Sequence, residues 1–278
     1  MSLDSVNLGG DAPVPGLIVT RARRRRRLII ELGVGLAVLI VFAVWARARI
    51  DGLSADTEAT NPVIRWEYLF VRERTPGELW ARTKEHLELT LVPVAIGLVI
   101  SSLLAALALR FRWMLTPISA ITGFMYTVPS LALFGVLVTF TSNWTAAVIA
   151  LTSYTLLILL RNIVAGIDGV PQASIDAADG MGMTRFQRLA RVELPLALPV
   201  ILTGIRVATV TTIGLVAISK VIQLGGLGAL IFDGYNSANS TLIVVGSALS
   251  ILLAVALDLV LRVIEWALTP WSRRAVAS

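Results

Sequence analysis

The chain has 278 residues, of which 56% are hydrophobic and only 15% are charged, and its mean hydropathy is +0.81. In an ordinary soluble domain about a quarter of the residues are charged, so this composition excludes such a domain and predicts an integral membrane protein. The net charge is +6 and there is no cysteine. The absence of cysteine excludes disulfides, thiol catalysis and thiolate metal sites.

The N-terminal residues, 1–27, are expected to form a basic tail in the cytoplasm. Residues 1–20 show no apolar period, and six arginines crowd into 21–27. A basic run can bind nucleic acid, but beside a membrane span it typically fixes the orientation of the chain and contacts anionic lipid headgroups. Because the chain shows no nucleic-acid module, we expect membrane lipid and no nucleic acid as its partner.

Six apolar runs follow, each close to the ~20 residues with which a helix crosses ~30 Å of hydrocarbon. They cover 28–46, 87–109, 114–140, 144–163, 195–219 and 241–265. The first run could be taken for a signal peptide, but it is long and lacks a clear cleavage site, which favours a retained anchor. The runs also lack the alternation of barrel strands. The predicted fold is therefore an all-α membrane protein with six transmembrane helices.

Basic residues at the ends of the spans predict the orientation. With the arginine run inside, both termini are expected in the cytoplasm, and the segment 47–86 is expected to be an extracytoplasmic loop. The membrane itself is expected to be the inner (cytoplasmic) membrane of the cell. One observation opposes this topology, because that loop carries seven Lys or Arg residues. The other five ends agree with it. A short amphipathic helix is expected near 78–87, and 271–278 is expected to be a cytoplasmic tail.

Catalytic and metal chemistry have little support in the sequence. A phosphate-cradling GxxxxGK[ST] loop needs a lysine, and neither Lys84 nor Lys220 lies in such a setting. The single histidine, His86, has no partner cluster for a metal site or a catalytic triad, and we interpret it as a satisfied polar residue at the membrane interface. We therefore expect no enzyme activity, no catalytic residue, no metal and no cofactor in this chain.

A polar insert over 171–195 separates the fourth and fifth apolar runs. Pro171 suits the first turn of a helix, and 172–179 follows with small alanine side chains that would allow another backbone to approach closely. The insert is therefore expected to begin with a short docking helix. A helical linker that lies on the membrane surface is the alternative interpretation.

The second half of the insert contains a break and the start of another helix. Gly180 and Gly182 interrupt the first helix, and Thr184 with Gln187 forms a T-x-x-Q capping box that starts the second. Three apolar and adaptable side chains lie in this otherwise polar stretch, namely Met181, Met183 and Phe186. Their presence suits docking into another protein.

The spacing within the insert resembles a known motif. Asp176-Ala177-Ala178, three residues, Gly182, nine residues, Val192, one residue and Leu194-Pro195 resemble E-A-A-x3-G-x9-I-x-L-P, the EAA loop of permease subunits of ABC importers. In that family the loop is a coupling helix that fits a cleft in the ATPase subunit. The resemblance implies a cytoplasmic coupling loop over 168–194, with ATPase contacts from Asp176, Ala177, Ala178, Gly182, Met183 and Phe186.

A larger part of the chain, about 85–270, is similar to one branch of these permeases, which serves glycine betaine, choline, carnitine and related osmoprotectants. The matching pieces are EHLELT at 85–90, TVPSLALFGVLV at 127–138, LLRNIVAGI at 159–167, the stretch 180–214, GGLG at 225–228 and ALTP at 267–270. The resemblance implies a type I importer permease core, MetI-like and of five spans, over 87–270. The anchor at 28–46 is then one extra N-terminal span.

The same resemblance implies several partners. They are two ATPase subunits that hold ATP and Mg, a second permease subunit that is this chain again or a paralogue, and an extracytoplasmic substrate-binding protein. Aromatic faces hold quaternary ammonium ions best, and only 7% of this chain is aromatic, so the selective cage is expected on the binding protein. The alternatives are a permease for methionine or another small amino acid, an ATP-independent carrier or channel, and a membrane scaffold.

Polar and kink-forming residues within the spans are candidates for the translocation passage. They are Tyr126, Pro129, Ser130, Asn162, Arg206 and Thr209. Arg206 is the strongest of them, although it could also reach the membrane surface or pair with an acidic residue. Asp258 and Arg262 are four residues apart on one helix and are expected to form an ion pair.

Two sequence features predict irregular backbone. Pro129 lies in the middle of the third span, where it is expected to kink a helix or to start one. The glycines of the GGLG stretch, Gly225, Gly226 and Gly228, predict a partly re-entrant turn at the outer face.

Overall fold

The computed structural model describes residues 76–271 and, before them, positions 30, 33–35, 37, 40, 41 and 44. These earlier positions are helical. Gly35 lies against Leu259, whose Cδ1 is 3.1 Å from the place where a Cβ of residue 35 would stand. The described part of the anchor therefore packs beside the last helix, while the rest of it, the basic tail, the loop from 47 to 75 and residues 272–278 lie outside the described residues.

Every regular element within 76–271 is helical. In chain order these elements are α1 (Pro76–Arg110), a 3-10 turn (Arg112–Met114), α2 (Leu115–Thr127), α3 (Ser130–Val138), α4 (Asn143–Asp168), α5 (Gln172–Gly180), α6 (Arg185–Arg188), a π-helical turn (Leu189–Glu193), α7 (Leu194–Ile218), a second 3-10 turn (Ser219–Ile222), α8 (Gly226–Asn236) and α9 (Ser240–Leu268). Because α1 already begins at Pro76, the short helix expected near 78–87 is the first part of a longer span.

Four helical segments in this part of the chain are long and apolar enough to cross a membrane, namely Glu78–Arg110, Asn143–Asp168, Arg185–Ile222 and Ser240–Leu268. A fifth span requires the pair formed by α2 and α3, which is bent by 90°. The third predicted span, 114–140, is therefore broken in two, and Pro129 starts the second helix as the N-cap of α3. The described residues thus supply four or five of the six predicted spans.

The break between α2 and α3 follows from a proline and the residue before it. Val128 and Pro129 both have extended backbones, with ψ of 128° and 130°. A residue that precedes proline is pushed out of the α region, and proline has no N–H to donate. The hydroxyl of Tyr154 on α4 donates a hydrogen bond to the carbonyl of Val128. A neighbouring helix therefore satisfies a carbonyl that the break exposes.

Helix α4 forms the centre of the bundle. About two thirds (67%) of its most apolar stretch is buried, against 11% for α9. One core cluster lies toward the C-terminal end of α4 and includes Ala105, Leu160, Val164, Ile167 and Ala197. A second lies toward its N-terminal end and includes Leu89, Phe134, Ala147, Leu151 and Val216. Both clusters include alanines, which let helices approach closely in a membrane, where van der Waals packing replaces the hydrophobic effect between helices.

The GGLG stretch turns the chain between α7 and α8. Gln223, Gly225 and Gly226 have φ of 64°, 135° and 44°, so the backbone takes left-handed conformations that glycine adopts most easily. A Cβ at Gly226 would stand 2.6 Å from the Cβ of His86 on α1, and one at Gly228 would overlap the backbone of Ala217 on α7. The glycines therefore allow α8, which is only 11 residues long, to pack tightly on two spans.

Candidate functional site

Helix α5 is the first half of the predicted coupling loop. Pro171 is its N-cap, one position before the predicted first turn, and the helix covers Gln172–Gly180. Ala178 is buried and Ile175 packs against the core cluster at the C-terminal end of α4. Asp176 and Ala177 are exposed on the opposite face. The helix is therefore seated on the bundle, and its charged face is exposed.

The carboxylate of Asp176 is already oriented within α5. Its Oδ1 accepts a hydrogen bond from Nε2 of Gln172, one turn earlier, at 2.8 Å. A carboxylate can accept several hydrogen bonds, so this bond leaves capacity for a cationic group of a partner. Asp176 thus lies where a guanidinium or ammonium group could reach it.

A Schellman turn ends α5, with Gly182 in the left-handed conformation at φ 73°. The N–H of Met183 donates to the carbonyl of Ala178 at 3.2 Å, and the N–H of Gly182 donates to the carbonyl of Asp179 at 2.9 Å. No other atom lies within 4 Å of a Cβ built at Gly182. Glycine is therefore required by backbone conformation at this position and not by crowding.

The capping box that opens the second helix is confirmed. Thr184 Oγ1 accepts from the backbone N–H of Gln187 at 3.3 Å, and Gln187 Oε1 accepts from the backbone N–H of Thr184 at 2.9 Å. The helix then continues from α6 through the π-helical turn into α7. The predicted coupling loop thus continues without a break into the longest membrane segment in the described part of the chain.

Two large apolar side chains around this turn point into solvent. Met181 is 68% exposed and Phe186 is 78% exposed, whereas Met183 is half-buried. An exposed phenylalanine and methionine beside a rigid polar helix are typical of a protein-binding surface. Of the three apolar residues that the sequence singled out here, the structure therefore presents Met181 and Phe186 most fully.

Three of the predicted passage residues meet at the break between α2 and α3. Tyr126 lies in the last turn of α2, Pro129 caps α3 and Ser130 begins it. The Tyr126 ring packs edge-on against Tyr154, with 6.0 Å between the ring centroids. Sequence reasoning missed Tyr154, because its relation to the break depends on the position of α4.

The other three passage candidates lie on α4 and α7. Asn162 donates from Nδ2 to the carbonyl of Ile158 at 2.8 Å and packs directly on Gly204 of α7. Thr209 is buried and donates to the carbonyl of Ile205 in its own helix. The structure therefore places Asn162 and Thr209 within helix packing.

Arg206 lies in a charged network between α7 and α9. Its Nη2 is 2.8 Å from Asp258 Oδ1, and its Nη1 is 3.3 Å from Glu265 Oε2. Arg262 Nε is 3.0 Å from the other oxygen of Asp258, which confirms the ion pair expected between these two residues. Of the alternatives for Arg206, the structure shows pairing with acidic residues, and this pairing joins two spans.

His86 lies inside the protein, where it is fully buried between α1, α7 and the glycine turn. Its Nε2 is 3.1 Å from the carbonyl of Ile213, but Nδ1 has no hydrogen-bond partner among the described residues. No group of three or more His, Cys, Asp or Glu residues within the described positions is arranged to hold a metal ion.

Comparison with known proteins agrees with this geometry. Residues 97–273 match the family described as binding-protein-dependent transport system inner membrane component. The osmoprotectant import permease protein OsmW of Salmonella typhimurium is 38% identical over 200 residues, which cover 70% of this chain and 93% of that protein. The choline transport system permease protein OpuBB of Bacillus subtilis is 36% identical over 195 residues, which cover 70% of this chain and 90% of that protein.

Solved structures share the fold. A chain of the inward-facing MetNI methionine ABC transporter superposes with a TM-score of 0.63 at 24% identity, covering 72% of this chain and all of that one. A chain of an amino acid ABC transporter crystallised with histidines gives a TM-score of 0.59 at 20% identity. The match covers 68% of this chain and 93% of that chain. The predictions of an all-helical, multi-pass membrane protein with a MetI-like core, and of a transport subunit rather than an enzyme, are confirmed. The chain belongs to the family of inner membrane components of binding-protein-dependent transport systems.

Proposed function

We propose that this chain is the transmembrane permease subunit of an ATP-driven importer for osmoprotectants such as glycine betaine, choline or carnitine. The observation that carries the proposal is the similarity to OsmW along 93% of that relative. Further relatives are named as glycine betaine, carnitine and choline transport permeases at 34 to 36% identity. The methionine transporter that shares the fold is only 24% identical, so it supports the architecture and not the substrate.

ATP hydrolysis on partner subunits drives the transport through the coupling loop. Helix α5 docks in a cleft of the ATPase, with Asp176 and Ala177 on its exposed face and Phe186 beside it. Ile175 and Ala178 seat the same helix on the bundle. An ATPase can shift a conformational equilibrium only through contacts that differ between the states, and a rigid docked helix provides such contacts. Ala178, Gly182 and Met183 hold the shape of the loop.

The passage runs beside the break between α2 and α3 and along α7. Tyr126, Pro129 and Ser130 are its residues at the break, and Asn162, Arg206 and Thr209 are its candidates along α4 and α7. A quaternary ammonium ion is held best in an aromatic cage. The break between α2 and α3 brings two aromatic rings together, those of Tyr126 and Tyr154. The passage therefore holds its substrate weakly, and the selective cage lies on the binding protein.

The working complex contains two ATPase subunits with bound ATP and Mg, this chain with a second permease subunit, and an extracytoplasmic binding protein. The membrane is the cytoplasmic one, with both termini inside, and the loop 47–86, whose last residues form the start of α1, faces outward. The second permease subunit is this chain again or a paralogue. This arrangement places α5 and Phe186 on the side of the membrane where ATP is available.

The proposal is tested by measuring ATPase stimulation in the reconstituted complex. The binding protein is loaded in turn with glycine betaine, choline, carnitine or methionine. We expect stimulation by at least one quaternary ammonium compound and none by methionine. Stimulation by methionine alone would assign the chain to an amino-acid importer and overturn the proposed substrate class.

A further inference from the structure

Arg188 lies between the coupling helix and the membrane segment that follows it. Its Nη1 is 2.8 Å and 2.7 Å from the two carboxylate oxygens of Asp179 in the last turn of α5. Its Nε is 2.7 Å from Oε1 of Glu193, the residue before α7. One guanidinium therefore joins the end of α5 to the start of α7.

The π-helical turn makes this arrangement possible. Arg188 and Glu193 are five residues apart, and in a regular α-helix such residues point about 140° away from each other. The turn Leu189–Glu193 is π-helical, and its wider winding brings the two side chains together. The Glu193 side chain is largely shielded from solvent, at 13% exposure. A charged hydrogen bond in such a place is stronger than one between exposed groups.

The carboxylate of Asp179 is also at a position where a nearby cation is favourable. The C-terminal end of a helix carries a partial negative charge, so an acidic residue in the last turn of α5 is unfavourable by itself. The positive charge of Arg188 compensates both the negative charge of the Asp179 carboxylate and the partial negative charge at the end of the helix. The pairing therefore explains why an aspartate can stand at this end of the coupling helix.

We propose that Arg188 is a positioning residue for energy coupling. It fixes the end of α5 relative to α7, so that a displacement of α5 by the ATPase is passed to α7 and not absorbed by the turn 181–184. This inference rests on the proposed function, because it needs an ATPase that docks on α5. Arg188 itself acts through Asp179 and Glu193, and it touches neither the substrate nor ATP.

The chain offers a matched control. Arg112 forms an equally short, bidentate ion pair with Asp168, at 2.9 Å and 2.7 Å, at the same end of the bundle. That pair joins the turn before α2 to Asp168, which ends α4 and is the first residue of the coupling loop, but it bridges neither α5 nor α7. Replacing either arginine removes the same chemistry, but only one replacement loosens the coupling helix.

The experiment uses the complete complex in proteoliposomes and measures the substrate imported per ATP hydrolysed. Arg188→Gln is expected to lower this ratio about three- to tenfold, because the variant loses charged hydrogen bonds. The ATPase should still co-purify with this variant. Arg112→Gln should leave the ratio unchanged. Asp179→Asn should also lower the ratio. It should add little in the Arg188→Gln background, because both variants remove the same interaction. Arg188→Lys, which keeps the charge, should recover part of the ratio.

The outcomes separate this inference from the proposed function. If the wild-type complex imports none of the osmoprotectants, the proposed substrate class is wrong, and coupling is then measured as stimulation of the ATPase by the binding protein. If the wild type is coupled and Arg188→Gln has the same ratio, the inference is wrong. Equal losses in Arg188→Gln and Arg112→Gln would also overturn it. If the Arg188→Gln complex does not assemble, Asp179→Asn tests the same contact, because that variant retains the ion pair between Arg188 and Glu193.

Discussion

Arg206 on α7 and Asp258 on α9 form an ion pair with 2.8 Å between Nη2 and Oδ1, although 52 residues separate them in the sequence. Arg206 also reaches Glu265, and Asp258 also reaches Arg262, so two cations and two anions neutralise each other. Charged side chains within membrane spans are costly unless they are paired. The network therefore fastens α9, which buries little of its surface elsewhere, to α7.

Removing one member of this network is expected to destabilise the protein. Asp258→Asn leaves Arg206 with weaker partners, and the loss of a charged hydrogen bond costs about 2 kcal/mol. For a chain of this size that loss lowers the midpoint of thermal unfolding in detergent by about 5 °C. Glu88→Gln is the control, because its pair with Lys84 is long, at 3.7 Å, and exposed. Equal midpoints for Asp258→Asn and wild type would show that the network contributes no stability.

Gly182 is expected to be sensitive to backbone conformation. Gly182→Val places a β-branched residue at φ 73°, where an L-residue loses about 1–2 kcal/mol. We expect the Schellman turn to open, so that ATP hydrolysis no longer drives uptake. Insertion into the membrane should remain normal. Gly180→Ala is the control, because Gly180 has equal free space and no positive φ. Transport by Gly182→Val at the wild-type rate would contradict a rigid coupling loop.

Gly228 is expected to tolerate no side chain. A Cβ there would overlap the backbone of Ala217, and backbone cannot move aside as a flexible side chain can. Gly228→Ala should therefore reduce the yield of folded protein sharply, since overpacking costs about 1–3 kcal/mol or more. Gly214→Ala on α7 meets no atom within 4 Å and should fold normally. Size-exclusion chromatography in detergent compares the two variants, and similar monodisperse yields would refute the close contact.

Phe186 is expected to contribute to ATPase binding and not to folding. It is 78% exposed, so Phe186→Ala removes few internal contacts. At a docking surface, truncation of an aromatic anchor costs about 2 kcal/mol, which weakens ATPase binding roughly 30-fold. Phe140, 80% exposed near the opposite end of α4, is the matched control. The affinity is measured by titrating the ATPase into the permease in nanodiscs, and equal affinities for both variants would exclude Phe186 from the interface.

The local features of the coupling loop could be predicted from the sequence. Thr184 and Gln187 are three residues apart, and their reciprocal hydrogen bonds depend only on the backbone between them. Gly182 likewise marks the end of a helix by its own conformational freedom. Both features are set within one turn of helix, so no knowledge of the rest of the fold was needed.

Contacts between distant elements could not be predicted in the same way. The sequence indicated that Pro129 would kink a helix or start one, but the hydrogen bond from Tyr154 to the carbonyl of Val128 at the 90° break depends on how α4 packs. The pairing of Arg188 with Glu193 depends on a π-helical turn that no residue type signals. The burial of His86 could not be predicted either, because it depends on Gly226, far along the chain.

The most direct test of the account is uptake by the complete complex with an active or a catalytically dead ATPase. Proteoliposomes contain this chain with its ATPase and second permease subunit, and the binding protein is supplied with radiolabelled glycine betaine, choline or carnitine. The account predicts accumulation of at least one of these compounds with ATP and the active ATPase, and none with the dead one. Equal accumulation with the dead ATPase would contradict an importer driven through α5.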